Sequence, residues 1–410
     1  MAFQVVVETS FLSRFGSCVE CLEPCSGYQW CSTCEISALK RKFTEWTSGN
    51  IKVDNMIQQT QLLSNDGVGY LEFIPFENFE YVKYIERGAF STIYSAIWIN
   101  GPRHILDNEC PDWIRSGPTK CALKRIDNSC NISQEYLNKI LNYHKCYRIG
   151  AAIVDCFGVT RDPTGCYMFV TKFYEYGNLQ EFLTKTMGCL CWRDIIDMLW
   201  GMVSGGLERI HDNGFYHGNL HCGNLLIDEL PESIHLKISD VGLHGPADGP
   251  GSGVYGVLPY VAPEVLRGKE YTQESDIYSF GIIMWALSSF TPPFCQYPHD
   301  LDLAKRICDG LRPDIIDGTP EAYTTLMKQC WDENPNNRPK AAELNEILCR
   351  WVTDINDNVE STPISEQFDI AEEKRFLDLI NKTFTQPAVH KDAVYVSRLL
   401  DFQSLHENSQ

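Results

Sequence analysis

The stretch His217-Gly218-Asn219-Leu220-His221-Cys222-Gly223-Asn224 lies in a part of the chain, Asn178 to Trp351, whose apolar pattern is mostly helical. On the N-terminal side of that part, from Phe79 to Thr171, apolar residues alternate with polar ones around a glycine turn, which predicts β-strands. Strands first and helices afterwards predict an α+β fold with two lobes. The polar stretch therefore belongs to the helical lobe.

The totals describe an acidic globular protein of 410 residues, with a formal net charge of −19 and 44% hydrophobic residues. That length predicts two or three domains, one of them large enough to bury a proper core. The acidic balance argues against nucleic acid or an anionic membrane as the main partner, because phosphates would be repelled. No apolar run of about 18 residues occurs, and the N-terminus lacks a signal-peptide pattern. We therefore expect a cytoplasmic location.

Composition divides the chain into three segments, residues 1–78, 79–352 and 353–410. The last begins as a polar, proline-bearing linker and continues with a predicted helix over Glu366 to Lys382, whose apolar side would carry Phe376, Leu377 and Ile380. The tail after it contains an apolar cluster around Val394-Tyr395-Val396. This cluster predicts either a docking peptide or a segment that folds back on the body, and a disordered end is the alternative.

Four cysteines of the first segment have metal-site spacing: Cys18 and Cys21, then nine residues, then Cys31 and Cys34, with Cys25 between the pairs. Each C-x-x-C turn directs two sulfurs to one ion, and four thiolates close a tetrahedral Zn²⁺ site. We predict a structural zinc in a small docking module. Free thiols in a loose N-terminal tail are the alternative. A redox pair fits less well, because no βαβ pattern accompanies the cysteines.

Further motifs surround the opening stretch in a fixed order: Gly88-Ala89-Phe90-Ser91, Ala122-Leu123-Lys124, Tyr174-Glu175-Tyr176-Gly177-Asn178, Ser239-Asp240-Val241-Gly242, Ala262-Pro263-Glu264, Ser275-Asp276-Ile277-Tyr278-Ser279-Phe280-Gly281 and Arg338. Together they resemble a eukaryotic protein-kinase domain over residues 79–352. Within that family, the sequence resembles the tyrosine-kinase-like group and most of all its lineage-expanded fungal members. The resemblance implies a bilobal fold, with an antiparallel N-lobe sheet, one N-lobe helix and a mostly helical C-lobe. It also implies ATP and Mg²⁺ as ligands.

The resemblance carries roles onto matching residues. Lys124 would pair with the ATP phosphates, Asn224 and Asp240 would hold Mg²⁺, and Asn219 occupies the position of the catalytic aspartate. The implied catalytic set comprises Lys124, Asn219, Asn224 and Asp240. The implied ATP-binding residues are Ile85, Gly88, Ile93, Ala122, Lys124, Thr171, Lys172, Tyr174 and Leu226. The backbone of Lys172 and Tyr174 would bind the adenine edge.

The chain departs from the family pattern at the positions that act on the phosphate acceptor. Asn219 is a neutral amide and cannot accept the proton that an aspartate would take. Gly218 replaces the arginine that would pair with an activation-loop phosphate. His221 and Val257 stand where serine/threonine kinases commonly have a lysine and a threonine.

Departures on the nucleotide side are fewer. Glu86 and Ser91 replace two of the three loop glycines, so only Gly88 remains. On the next helix, Lys139 occupies the position of the glutamate that would pair with Lys124, and Glu135 lies one turn earlier.

These residues predict a protein-kinase-fold signalling protein that binds ATP and has unidentified protein partners, and that is a pseudokinase with impaired phosphotransfer to protein hydroxyls. Two alternatives remain open. An active but slow serine/threonine or tyrosine kinase is possible because the Mg²⁺ ligands are intact and phosphoryl transfer depends mainly on positioning and electrostatics. An adaptor that binds no nucleotide would use the zinc module and the tail to hold its partners.

Overall fold

The computed structural model describes residues 15–27, 30–65, 69–104, 114–186, 189–230, 233–249, 253–356, 361–381 and 387–402. The chain forms two compact units. The first comprises residues 1–148, 155–173 and 246–250, and the second comprises residues 149–154, 174–245 and 251–410. The N-terminal residues, which lack a signal-peptide pattern in the sequence, and parts of the predicted tail lie outside the described residues.

A six-stranded sheet organises the first unit, in the order β1-β7-β8-β6-β3-β2. Its strands are β1 (Glu72–Phe73), β2 (Phe79–Arg87), β3 (Ser91–Trp98), β6 (Thr119–Ile126), β7 (Cys156–Arg161) and β8 (Tyr167–Lys172). All neighbours are antiparallel except β1 and β7, which are parallel. Strands β4 (Arg103–His104) and β5 (Ile114–Arg115) form a separate pair. The alternation seen in the sequence buries one face, where Trp98, Leu123 and Val170 form the core.

Residues before Phe79 are part of this unit. Helices α1 (Ser32–Lys42) and α2 (Ile51–Leu62) precede β1, and Asn50 caps α2 by accepting a hydrogen bond from the backbone N–H of Lys52. Strand β1 reaches the sheet because β7 has a glycine opposite it: a Cβ on Gly158 would lie 2.2 Å from the Glu72 carbonyl oxygen. Helix α3 (Gln134–Ile149) completes the unit.

The second unit is mostly helical. Its helices are α4 (Leu179–Thr186), α5 (Trp192–Met202), α6 (Glu208–Asp212), α7 (Pro263–Leu266), α8 (Gln273–Ser289), α9 (Leu301–Cys308), α10 (Glu321–Cys330), α11 (Ala341–Asn356) and α12 (Pro363–Ile380). Two short antiparallel pairs accompany them, β9 (Leu225–Leu230) with β10 (Ser233–Ile238), and β11 (Val254–Gly256) with β12 (Arg398–Leu400). Helix α8 is apolar on all sides and is buried from Ser275 to Ser289, so it forms the centre of the unit.

A π-helical turn, Val203–Leu207, joins α5 to α6. Two glycines in it permit close packing, since a Cβ on Gly205 would lie 3.1 Å from Ala152 Cβ and one on Gly206 would lie 2.6 Å from Ile238 Cδ1. Glycine at both positions lets this turn pack against Ala152 and against Ile238, the last residue of β10.

Helix α12 begins at a Thr362–Ser365 capping box and packs differently from the sequence prediction. The predicted apolar side is exposed: Phe376, Leu377 and Ile380 have exposed fractions of 62%, 55% and 59%. The buried side carries Phe368, which contacts Trp192 and Trp351 with ring centroids 5.9 and 5.6 Å apart. The helix itself was predicted, but its apolar side is not its buried face, because Trp192, 176 positions before Phe368, and Trp351 on the preceding helix select the face that packs.

The predicted α+β class is confirmed, with a sheet-bearing unit, a helical unit and a cysteine-rich N-terminal segment. Among the described residues, no helix is long and apolar enough to cross a membrane.

Candidate active site

The loop that carries Asn219 is fixed by one carboxylate from the central helix α8. Asp276 Oδ2 accepts hydrogen bonds from the backbone N–H of His217 at 2.7 Å and from His211 Nε2 at 2.9 Å, and its Oδ1 accepts one from the Gly218 N–H at 2.9 Å. The Asp276 side chain is 1% exposed. A buried carboxylate with several donors holds those donors in a single geometry. The loop scaffold is therefore intact.

His217 is held as a neutral imidazole. Its Nδ1 accepts from the Asn219 N–H at 3.2 Å, so its Nε2 carries the proton and donates to the Ser239 carbonyl oxygen at 2.8 Å. Burial lowers the pKa of His217 because the interior disfavours the charged imidazolium. His217 thus links the Asn219 loop to the Asp240 loop.

Asn224 lies beside Asn219 and is buried. Its side-chain Nδ2 donates to the backbone carbonyl oxygen of Asn219 at 2.9 Å. The backbone carbonyl oxygen of Asn224 accepts from the Ser239 N–H at 2.9 Å and from Ser239 Oγ at 3.0 Å. Because the amide nitrogen is engaged, Oδ1 is the atom of Asn224 that suits a hard cation.

Asp240 has a left-handed backbone, with φ of +62°. A non-glycine residue in this region carries about 1–3 kcal/mol of strain unless its surroundings enforce the conformation, and such residues cluster at functional sites. Neighbouring contacts hold Asp240 in this conformation: the Gly242 N–H donates to the His217 carbonyl oxygen at 2.9 Å, and the Val241 side chain is buried. A carboxylate and an amide oxygen on these two adjoining loops are ligand types that Mg²⁺ accepts.

Gly218 does more than omit an arginine. Its φ is +72°, and a Cβ there would lie 3.0 Å from His244 Cε1 and 3.3 Å from Tyr216 Cε2. The His244 ring packs against Tyr271 with centroids 5.5 Å apart. The place next to the loop is therefore filled by His244, a residue that sequence reasoning missed because nothing in the sequence relates positions 218 and 244.

The segment after the Asp240 loop runs close to Asn219. A Cβ on Gly256 would lie 3.5 Å from Asn219 Oδ1, and Tyr271 fixes this region by donating its hydroxyl to the Tyr255 carbonyl oxygen at 2.7 Å. Val257 and His221 are both buried. The His221 Nδ1 accepts from the Gly223 N–H at 3.0 Å, so it stabilises its own loop.

A buried ion pair anchors the end of this segment. Arg338 Nη1 and Nη2 donate to Glu264 Oε1 and Oε2 at 2.7 and 2.9 Å, and Arg338 Nε donates to the Asp332 carbonyl oxygen at 2.9 Å. The Arg338 side chain is fully buried. Removal of one partner from such a pair costs about 3–5 kcal/mol because the other charge remains buried.

The first unit positions the predicted nucleotide residues on neighbouring strands. Lys124 on β6 is opposite Ile93 on β3, and Ala122 on β6 is opposite Thr171 on β8. Gly88 closes the turn between β2 and β3, where its N–H donates to the Ser91 carbonyl oxygen at 2.8 Å. Lys172 ends β8, and Ile85 lies on β2 with an exposed fraction of 43%.

The other predicted nucleotide residues belong to the second unit. Tyr174 is buried, and its carbonyl oxygen accepts from the Gly177 N–H at 3.1 Å. Leu226 lies on β9, where it forms a bridge with Asn178.

Lys139 lies on α3, where its Nζ is 3.7 Å from Glu135 Oε1 on the preceding turn. The Glu135 side chain is 55% exposed, so this pair contributes only a few tenths of a kcal/mol.

The four N-terminal cysteines converge. Their sulfurs all lie within 4.8 Å of one another, with Cys21 and Cys31 Sγ 3.5 Å apart and Cys18 and Cys34 Sγ 3.9 Å apart. Tetrahedral zinc with bonds of about 2.3 Å needs sulfurs about 3.8 Å apart. Backbone N–H groups of Cys21 and Glu20 lower the pKa of Cys18 to about 7, which favours a thiolate there, whereas the neighbouring thiols raise the pKa of Cys34 and that of Cys21 is raised as well. The four cysteines therefore fit a Zn²⁺ ion, and Cys25 is buried beside them.

Residues 79–348 match the family model described as protein tyrosine and serine/threonine kinase. The chain belongs to the protein kinase family, as its motifs predicted. Members of this family use ATP and Mg²⁺.

Several curated kinases are similar to the chain over just under half its length. It is 31% identical over 202 residues to serine/threonine-protein kinase STY17 of Arabidopsis thaliana, a match that covers 48% of this chain and 34% of that protein. It is 31% identical over 193 residues to a probable serine/threonine-protein kinase of Dictyostelium discoideum, covering 47% and 14%. It is 32% identical over 189 residues to human ephrin type-A receptor 5, covering 44% and 18%. The matches span about a third or less of these relatives.

Proposed function

We propose that this chain is a nucleotide-binding signalling protein of the kinase family whose transfer of phosphate to protein hydroxyls is impaired, that is, a pseudokinase. The observation that carries the proposal is the state of the Asn219 loop. The loop keeps its supports, Asp276 and His217, while the residue at the position of the base is an amide. The backbone of the loop is therefore still held in place, while Asn219 supplies no base.

Nucleotide binding is proposed because the ligand-type residues remain. Lys124 lies on a central strand, and Asn224 and Asp240 lie on adjoining loops that are hydrogen-bonded through Ser239 and His217. Mg²⁺ bound by Asn224 and Asp240 would neutralise charge on the phosphates. Lys124 would bind the phosphates, and the strand backbone at Lys172 would bind the adenine edge.

Impaired transfer follows from Asn219. An aspartate there would orient the acceptor hydroxyl and take its proton, and a positioned acid or base contributes about 10²–10⁴-fold to a rate. The amide oxygen of Asn219 can accept a hydrogen bond from a hydroxyl but remains unprotonated throughout. The acceptor is therefore oriented without being activated.

A second candidate is an active but slow kinase, favoured by the retained Asn224 and Asp240. Positioning and electrostatics carry most of phosphoryl transfer, so these residues support a residual rate.

Transfer of labelled phosphate from ATP to a generic protein substrate separates the two candidates. We compare the wild type with the double variant Asn219→Asp, Lys139→Glu, which restores the base and the helix glutamate. The matched control is Asn213→Asp, Lys139→Glu, because Asn213 is exposed and its change adds the same charge. We expect the first double variant to exceed both other proteins by about 10²-fold or more.

Equal rates in all three proteins, abolished by Asp240→Ala, would instead establish the slow kinase. Such a result would mean that the amide is no handicap and that the pseudokinase proposal is wrong.

We also propose that the four N-terminal cysteines bind a structural zinc and that the protein resides in the cytoplasm. Among the described residues, no cysteine forms a disulfide, as is usual in a reducing compartment. Zinc would hold the N-terminal segment in a fixed shape, and partner proteins would dock on it.

A further inference from the structure

The C-terminal segment, residues 387–402, returns to the loop that carries Asn219. Its strand β12 pairs antiparallel with β11, so that Val254, Tyr255 and Gly256 are opposite Leu400, Leu399 and Arg398. Leu400 is 4% exposed, and a Cβ on Gly253 would lie 2.7 Å from Leu399 Cδ1. An extended peptide has thus added a strand to the free edge of the segment that follows the Asp240 loop.

The residue that precedes this strand, Ser397, contacts Asn219 directly. Ser397 Oγ lies 3.3 Å from Asn219 Oδ1, to which it donates a hydrogen bond. Position 219 is the one at which an active kinase receives the acceptor hydroxyl. The Ser397 hydroxyl therefore contacts the same side chain, at position 219, that the hydroxyl of a protein acceptor would contact.

The segment is anchored on both sides of Ser397 by contacts with His299. His299 N–H donates to the Asp392 carbonyl oxygen at 3.0 Å, and the His299 ring contacts Val394 through Nδ1, which lies 2.9 Å from the Val394 carbonyl oxygen. The same ring packs edge-on against Tyr395 with centroids 4.9 Å apart. The guanidinium of Arg398 donates to the His299 carbonyl oxygen.

Further anchors come from the loop before His299. The Tyr395 hydroxyl donates to the Pro293 carbonyl oxygen at 2.9 Å, and the His390 N–H donates to the Cys295 carbonyl oxygen at 2.7 Å. Backbone hydrogen bonds give such a peptide affinity, and seated side chains give it register. The contacts extend from His390 to Leu400, so the register of Ser397 is fixed on both sides.

We infer that residues 389–400 are an internal peptide ligand that occupies the acceptor face, the surface beside Asn219 on which an acceptor hydroxyl would lie. An extended hydroxyl-bearing peptide from another protein would bind there only after the segment is released. The inference deepens the proposed function and rests on it in one respect, that Asn219 marks the acceptor side. The segment acts by occupancy alone, and no bond is made or broken.

Hydrogen exchange of the full chain tests whether the segment is seated. Leu400→Asp places a charge at a buried position and should release it, whereas Val396→Asp adds the same charge to a side chain that is 47% exposed. We expect exchange over residues 254–256 and 390–400 to be about tenfold faster or more in Leu400→Asp than in the wild type, and unchanged in Val396→Asp. Equal exchange in all three proteins would overturn the inference.

A second measurement tests occupancy of the acceptor face. A fluorescent synthetic peptide of residues 388–402 is titrated into each full chain and followed by anisotropy. We expect Leu400→Asp to bind the peptide about tenfold more tightly than the wild type or Val396→Asp, because its own segment no longer competes. A peptide with Ser397→Ala should bind the released variant about fivefold more weakly, the loss of one hydrogen bond.

Equal binding by wild type and Leu400→Asp, or no effect of Ser397→Ala, would show that the segment does not occupy the acceptor position. Where Leu400→Asp lacks a cooperative thermal transition, Tyr395→Ala replaces it, since Tyr395 contacts Pro293 and His299 and is itself only half-buried. Neither measurement uses nucleotide, so a failure to bind ATP would overturn the proposed function and leave this inference standing.

Discussion

Asn219 illustrates how much a single side chain can change while its backbone stays fixed. Its N–H is bonded to His217, its carbonyl oxygen to Asn224, and its amide oxygen to Ser397. Three hydrogen bonds of this kind contribute about 1 kcal/mol each to the stability of the loop. None of them depends on a charge at position 219, so the loop tolerates an amide where catalysis would need a carboxylate.

Gly218 offers a test of the local packing. We expect Gly218→Ala to lower the free energy of unfolding more than Gly310→Ala does. Both residues have positive φ, but only at Gly218 would the new Cβ meet a neighbour, His244 at 3.0 Å, whereas nothing lies within 4 Å at Gly310. The shared backbone strain is about 1 kcal/mol, and the clash should add about 1–3 kcal/mol.

Urea unfolding measures this difference, and the background His244→Ala provides the control. In that background the difference should shrink to the contribution of the Tyr216 ring, which would lie 3.3 Å from the new Cβ. An undiminished difference without the His244 ring would show that His244 does not restrict position 218.

Buried histidines give the stability a dependence on pH. Burial lowers the pKa of both His217 and His299 in the folded state. Below about pH 6.5 the unfolded chain takes up protons that the folded chain does not, so acidification favours unfolding. Stability should fall below pH 6.5, by at most about 1.4 kcal/mol per pH unit for each histidine.

Thermal unfolding between pH 7.5 and 5.5 checks this, in a range above the usual pKa of carboxyl groups. His299→Gln should reduce the slope and leave the part due to His217. A stability that rises on acidification through pH 6.5 would contradict the neutral assignment of His217.

At the scale of elements, the N-terminal segment and the sheet support each other. Trp30 and Tyr70 pack with ring centroids 6.0 Å apart, and Arg103 lies over the Tyr70 ring at 5.1 Å. Tyr70 leads directly into β1, which adds the sixth strand to the sheet. A metal that holds Cys31, next to Trp30, would therefore stabilise the edge of the sheet as well as its own loop.

Zinc content tests this element. The purified chain should hold about one zinc, Cys21→Ser and Cys34→Ser should lose it, and their thermal midpoints should fall by several degrees. Cys25→Ser is the matched control, since Cys25 is buried in the same cluster but is not one of the four converging sulfurs. Stoichiometric zinc that survives in Cys21→Ser would contradict the four-cysteine site.

The sequence predicted the secondary-structure elements better than it predicted which elements pack against each other. Alternation and motif order predicted the sheet, the helical part and the kinase family. They did not predict that β1 pairs with β7, because that pairing depends on Gly158, some 86 residues away. The buried face of α12 was missed for the same reason, since Trp192 and Trp351 select it.

The candidate site shows the same division. Polar residues of the Asn219 loop are close together in sequence, so a local pattern was enough to select them as candidates. Two neighbours of that loop were not, His244 beside Gly218 and Ser397 beside Asn219, the latter 178 positions away. Contacts of this range are set by how whole segments pack, and a local pattern carries no signal for them.

For the whole molecule, nucleotide binding is the property that separates a pseudokinase from an adaptor. The chain keeps Lys124, Asn224 and Asp240 while the acceptor side has lost its base and, by our inference, is covered by residues 389–400. Binding of nucleotide and access of an acceptor peptide would then be separate properties, and each is measurable without the other.

The most direct test of the central claim is a thermal-shift titration of the full chain with ATP and Mg²⁺. We predict a saturable rise in the unfolding midpoint, corresponding to about 2.7 kcal/mol at a nucleotide concentration one hundred times Kd. The rise should be lost in Lys124→Ala and Asp240→Ala and retained in Asn219→Ala. An unchanged midpoint at millimolar ATP and Mg²⁺ would contradict the proposed nucleotide binding and would leave a kinase fold that binds no nucleotide.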